Sequence, residues 1–139
     1  MSVSVALHDL IRDTIKADAT VMAEVTDVFD SVPPEPARWG NKQAYISLGP
    51  IDVVEDDAEC IIGGSHSAQV DVWSRKVGSV HCKEIVDAVK AALHEVDAEL
   101  DAYGLVQLRV AMRRVFMDAD GKTYHGVLTI EADIEEEVD

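Results

Sequence analysis

SAQVDVWSRKVGSVHCKEIVDAVKAALHEV, residues 67–96, runs from the clearest strand of the chain into its clearest helix. Ala68, Val70 and Val72 alternate with Gln69, Asp71 and Trp73, the period-2 signature of a half-buried strand. Then Cys82, Ile85, Val86, Val89, Ala92, Leu93 and Val96 recur on a 3.6-residue period and make one continuous apolar helix face. Arg75-Lys76-Val77-Gly78 is a tight polar turn between them, with Ser79 placed to cap the helix. A strand and a helix joined so closely must pack on each other. The rest of the chain is expected to complete that sheet and that helical layer.

Upstream, VSVALHDLIRDTIK (3–16) is an amphipathic helix with Val3, Leu7, Leu10, Ile11 and Ile15 as its stripe and Ser2 or Ser4 as cap. Residues 17–25 suggest a second short helical turn, capped by Asp18 or Thr20, with Val21, Met22 and Val25 inward. Val28-Phe29-Asp30 is a short strand candidate. SVPPEPARWGNKQ (31–43) holds three of the four prolines, so it is an extended loop and no central strand. Its Trp39 either folds back over the core edge or, beside Arg38, anchors a partner. Ala44 to Leu48 is a strand that Gly49-Pro50 should end.

PIDVVEDDAECIIGGS (50–65) reads as a long hairpin or arm leaving the body, bent at Gly63-Gly64. Ile61 and Ile62, exposed on such an arm, would need a neighbour to bury them. After a polar linker at 97–104, residues 105–117 alternate, with Val106, Leu108, Val110, Met112 and Phe116 on one face. Gln107, Arg109 and Arg113 take the other, and Arg114 interrupts the apolar set. The turn Asp118-Ala119-Asp120-Gly121-Lys122 leads to 124–134, where Leu128, Ile130, Ala132 and Ile134 point inward. Arg109 and Arg113 would then face Thr129, Glu131 or Asp133 across this hairpin. Residues 135–139, EEEVD, form an acidic tail. The element order implies an α+β fold: a mainly antiparallel sheet packed against an N-terminal and a central helix, with an extended loop or arm. At 139 residues this is one domain, 1–139.

The chain carries 27 acidic against 12 basic residues, a net charge of −15. That argues against tight nucleic-acid binding and against an anionic membrane surface. It suits solubility, a partner with basic patches, or a surface past which DNA slides. No apolar run approaches a membrane span and no charged leader precedes one, so a soluble protein made in the cytoplasm is expected. Cys60 and Cys82 form no CxxC pair and read as free thiols.

The usual chemistries find no footing. His81 and His94 lie thirteen residues apart on one helix, about 20 Å, too far to share an ion. His66 and His125 would make at most a surface pair in the sheet. Ser65-His66-Ser67 lacks a GxSxG elbow. Gly63-Gly64-Ser65 lacks the ending of a phosphate loop. Asp52, Glu55, Asp56, Asp57 and Glu59 lack the Gly-centred spacing of a calcium loop. No catalytic residue, metal site or cofactor is assigned, and no enzyme is expected.

At Gln69-Val70-Asp71-Val72-Trp73-Ser74-Arg75 and the helix after it, the chain resembles the small tail-completion, or tail-terminator, proteins of siphophages and gene transfer agents. The likeness extends to VALHDLIRDTIKADATVMAEV, Val28-Phe29-Asp30, the Pro-rich loop, Ala44-Tyr45-Ile46-Ser47-Leu48-Gly49, Leu105 to Arg109 and His125-Gly126-Val127-Leu128. The acidic 50–65 segment and the acidic tail depart from that pattern. The resemblance, which extends to the terminator of lambda-like tails, implies a structural virion protein at the neck-proximal end of the tail, assembled in the bacterial cytoplasm. It implies a homohexameric ring that caps the tail tube protein, ends tube growth and meets a head-side connector or stopper protein. DNA would only pass through, and no membrane is involved. Arg38, Trp39, Ile61, Ile62, Trp73, Arg75 and Lys76 are the interface candidates. Trp73 is core if helices cover its face and interface if they do not. Arg75 and Lys76 would pair with a neighbour's acids. The alternatives are a head–tail connector or stopper ring and, from charge alone, an acidic DNA-mimic inhibitor.

Overall fold

The computed structural model describes residues 2–55, 62–94, 100 and 103–136. Three helices, α1 (Val3–Lys16), α2 (Ala19–Met22) and α3 (Val80–Leu93), accompany five strands. These are β1 (Val28–Phe29), β2 (Ala44–Glu55), β3 (Ile62–Ser74), β4 (Tyr103–Met117) and β5 (Tyr124–Glu136). The sheet order is β1-β2-β3-β5-β4. β1 runs parallel to β2, and every other pairing is antiparallel. The α+β expectation therefore holds, with one short parallel pair at the edge.

The helices cover one face of the sheet. Val3, Leu7, Ile11 and Ile15 of α1 and Cys82, Ile85, Val86, Val89 and Leu93 of α3 are buried against Ile46, Ala68, Val70, Val72, Leu128, Ile130, Ala132 and Ile134. Each fully buried Ile, Leu or Val contributes about 1.5–3 kcal/mol, which makes this layer the main source of stability. Ser2 caps α1 by accepting from the Val5 amide at 3.0 Å, and Asp18 caps α2 by accepting from Val21 at 3.0 Å. Ser79 does precede α3, but its backbone is already helical and its hydroxyl makes no capping bond. Packing, not the cap, starts that helix. Close approach of α3 to the sheet depends on Gly126, where a Cβ would stand 2.4 Å from Val86 Cγ2.

Several boundaries differ from the sequence expectation. Gly49-Pro50 does not end β2, because the register shifts between Leu48 and Ile51 and the strand continues to Glu55. β1 pairs only with Ile46 and Ser47. The missing proline N–H therefore falls at a bulge on an open edge, where it breaks no ladder. Gly63 and Gly64 do not bend the chain; they pair with Glu135 and Ile134 inside β3. The arm is thus a long β2–β3 hairpin, and residues 56–61, Ile61 among them, lie outside the described residues.

The largest correction concerns β4. Register shifts between Leu105 and Gln107 and between Val110 and Met112 reverse the alternation of side chains. Arg113 and Val115 therefore share the helix side with Leu108 and Val110, opposite Leu128, Gly126, Ala132 and Ile130. Met112, Arg114 and Phe116 share the helix-free side. Arg109 meets Glu131 as expected, but Arg113 reaches α3 instead and donates to Asp87 at 2.7 Å. Arg114 needs no excuse as a charge in an apolar row, since its row is the solvent-facing one. Beyond the described part of α3, the expected Val96 contact is not defined.

Candidate assembly surface

Register builds one continuous feature on the helix-free face. Tyr45 lies opposite Trp73, Trp73 opposite His125 and His125 opposite Phe116, across four strands. The Trp73 and His125 rings stack at 3.8 Å with 13° between planes, Tyr45 stacks on Trp73 at 6.1 Å, and Phe116 meets His125 at 5.0 Å. Phe29 extends the row, edge-on to Tyr45 at 6.0 Å. Cross-strand aromatic pairs contribute about 0.5–1.5 kcal/mol each beyond the area they bury. The polar ends of these rings are satisfied within the chain. The Trp73 indole donates to Ser47 Oγ at 2.9 Å, and His125 Nε2 lies 2.7 Å from Asp71 Oδ1, which also accepts from Gln69 at 2.9 Å. Trp73 thus sits on the face away from the helices, half-buried in this row, and outside the core between sheet and helices.

The Pro-rich loop folds onto the same row. Trp39 is 8% exposed and packs edge-on against Tyr45 at 4.8 Å. Its indole donates to Glu35 at 3.0 Å. The Arg75 guanidinium lies 4.3 Å over the Trp39 ring while donating to Glu35 at 2.6 Å. Thr26 Oγ1 donates to the Trp39 carbonyl, and Arg38 donates to the Pro33 carbonyl at 2.8 Å. Gly40 turns the loop at φ +54°, with the Thr26 side chain 2.9 Å from where a Cβ would be. The Trp39 N–H, and after it Arg75, holds the Glu35 carboxyl below its ordinary range, while burial pushes the Tyr45 phenol up. Trp39 therefore folds back over the sheet, and Arg75 spends its charge on Glu35 of its own chain. Lys76 is exposed beside Val77, the most exposed apolar residue described.

One constellation imitates a catalytic one. His81 Nδ1 lies 2.8 Å from Ser74 Oγ, and His81 Nε2 lies 3.0 Å from Glu24. Ser74 is wholly buried and His81 nearly so, so no substrate can reach the hydroxyl. The chain of bonds ties the segment just after α2, β3 and α3 together. The Cys82 thiol is also buried, and desolvation pushes it up to about 12, which leaves no thiolate to react. His66 and His125 lie on opposite faces, His66 paired with Ala132 and His125 with Trp73 and Phe116. They do not meet. Among the described residues, no group of three or more His, Cys, Asp or Glu is placed to hold a metal ion. No described helix is long and apolar enough to cross a membrane.

A model of the tail completion protein gp17 family matches residues 9–135. The chain belongs to that family. As a tail completion protein it is a structural, non-enzymatic part of a tail. Its fold is similar to that of a chain in the virion of a native gene transfer agent particle, with a TM-score of 0.86 and 29% identity. The likeness covers 96% of this chain and 98% of the other. Among curated proteins nothing matches. The aromatic row and the Ser74–His81–Glu24 link were not foreseen from the sequence. For Tyr45 and Trp73 the signal was available, since both alternate with the apolar residues of their strands; the sequence alternation puts Phe116 with the apolar face, and it joins the row only through the register shift in β4.

Proposed function

We propose that this tail completion protein forms a closed ring, typically of six copies, on the last ring of tail-tube subunits. There it ends tube growth and presents a surface to the head-side connector. The observation that carries this is the whole-chain likeness to a component of a gene transfer agent virion. The sheet geometry supports it. β4 pairs only with β5 among the described residues, and β2 beyond Ser47 has no outer neighbour. Two unlike open edges on opposite sides of one subunit suit a head-to-tail contact, which closes into a ring when the rotation allows. Ile61 and Ile62 of the hairpin are proposed to pack on the adjacent subunit. Trp73, Arg75, Trp39 and Arg38 would act through the rigid loop-covered face, and Lys76 directly. Assembly takes place in the bacterial cytoplasm. DNA only passes through, repelled by acidic side chains on the channel wall; a neutral or basic wall in the assembled particle would refute that part.

The test is solution mass, alone and with tail tube protein. A ring, formed alone or on the tube, supports the proposal. A monomer under both conditions refutes it. A head–tail connector or stopper ring is the second reading, since its subunits also form rings. Capture of the portal-side adaptor instead of the tube protein would favour it.

A further inference from the structure

Five of the six arginines are spent inside the chain. Arg12 pairs with Asp9 and Asp13, Arg75 with Glu35, Arg109 with Glu131 and Arg113 with Asp87, and Arg38 donates to the Pro33 carbonyl. Arg114 is different. Its guanidinium lies 5.0 Å over the Phe116 ring, and among the described residues it has no hydrogen-bond acceptor and no carboxylate. Asp71, on the same row two strands away, is held by His125 and Gln69. In a chain with 27 acids against 12 bases, an arginine that the fold fixes on an aromatic ring but leaves without an acid is conspicuous.

Its surroundings are apolar and open. Met112 is 52% exposed on the same face, and Phe116 and Val127 are half-buried. That face is aimed by the bulge. Without the shift between Val110 and Met112, residues 112, 114 and 116 would point towards the helices with Val110. His94, which ends α3, accepts the Val110 amide at 3.0 Å just before the shift, so the helix layer itself pins the device that turns these side chains outward. We infer that Met112, Arg114 and Phe116 form a contact patch for a second copy of this chain, with Arg114 taking one of that copy's carboxylates. The inference rests on the ring proposed above and names a surface within it. Two features favour a second copy as occupant. The patch is carried by β4, which pairs only with β5 among the described residues, so a neighbour that approaches this edge meets the patch. A second copy also brings the excess of acids that an unspent guanidinium needs. Arginine, methionine and aromatic side chains are the types enriched where proteins meet, and arginine binds a carboxylate through two N–H groups at once.

The experiment uses the full chain, Arg114→Glu and, as a control with the same change of net charge, Arg12→Glu. Circular dichroism and thermal melting check the fold, and solution mass is measured with and without tube protein. Arg114→Glu should self-associate at least ~30-fold more weakly than the parent, the effect of losing a central interface arginine, while Arg12→Glu stays parent-like. A second measurement needs no variant: in the unmutated chain, hydrogen peroxide should oxidise Met112 at least about 5-fold more slowly when assembled than when dilute, read by peptide mass spectrometry. Equal rates overturn the patch. So does parent-like association of Arg114→Glu, which leaves the ring intact, and so does equal weakening by Arg12→Glu, which assigns the effect to net charge. An Arg114→Glu chain that still forms the ring but no longer binds tube protein overturns the second copy as occupant and gives the patch to that partner. A parent chain that stays monomeric even with tube protein removes the ring and this contact with it.

Discussion

Gly126→Ala tests whether helix α3 is seated on the sheet as tightly as the coordinates require. The added Cβ would stand 2.4 Å from Val86 Cγ2, 3.2 Å from Cys82 Sγ and 3.3 Å from Val72 Cβ. Carbon atoms in contact settle at about 3.5–4.0 Å, so Val86 or the helix carrying it must retreat by more than an ångström. Val86 is 2% exposed and Cys82 wholly buried, so neither side chain can swing into solvent. Overpacking of this kind costs about 1–3 kcal/mol. For a domain of this length that lowers the melting temperature by roughly 3–12 °C. The assay is chemical denaturation at fixed low protein concentration, since association would add its own stability. Val86→Ala removes the clashing methyl and alone costs a similar amount through the cavity it leaves. Combined, the two changes should cost at least about 1 kcal/mol less than their sum. A Gly126→Ala protein within ~0.5 kcal/mol of the parent, or strict additivity with Val86→Ala, would refute the close helix–sheet contact.

Trp39→Ala should cost about 3–5 kcal/mol, as for a buried Trp in a core, and should expose the 31–43 loop to limited proteolysis; an unchanged cleavage pattern would contradict the fold-back of that loop. Ser74→Ala should cost about 1–3 kcal/mol by leaving His81 Nδ1 without its buried partner, measured by the same denaturation assay. The Cys82 peptide should stay unlabelled by a thiol reagent in the native protein and become labelled on unfolding, because burial pushes its thiol up to about 12. Asp120 is held down to about 2, first by the Thr123 hydroxyl and then by the Lys122 amide. A carboxyl depressed in the fold contributes stability that is complete above its unfolded value and is lost as pH falls through its folded one. The β4–β5 turn should therefore stay closed at pH 4 and loosen towards pH 2, which a carbon-detected NMR titration of Asp120 reads directly.

Much of this architecture is legible in the sequence because period and burial coincide. The α3 stripe and the β3 and β5 alternations sit on strands or helices whose one face is wholly apolar. There a slip of one residue would bury a charge, so pattern and structure must agree. β4 breaks the rule because it is an edge strand. Its outer side has no ladder to keep in step, so an extra residue after Val110 costs little. Every residue beyond the bulge then changes face. Gly49-Pro50 deceives for the same reason: proline forbids a central strand but is admitted at a bulge on an edge. The aromatic row stayed hidden because it depends on which strands are neighbours. Order β3-β5-β4 is fixed by long-range pairing, not by any local signal.

Net charge is a poor guide to whether copies of this chain can meet. A salt solution at physiological strength screens exposed charges over about 8 Å, so two copies sense mainly the side chains that touch. What matters is how the 12 basic residues are distributed among the 27 acids. Half of the six arginines lie on β4, and the sheet's other long strands, β2, β3 and β5, hold neither Arg nor Lys. Among the four long strands, β4, which pairs only with β5 among the described residues, is thus the one from which acids are absent. An edge protected only against misuse would carry the chain's prevailing charge, which would repel every copy equally. An edge with the opposite sign repels other such edges and accepts an acidic one. In the ring proposed above, that charge would favour head-to-tail contact over edge-to-edge pairing of like surfaces, the same distinction that separates a closing ring from a two-fold dimer.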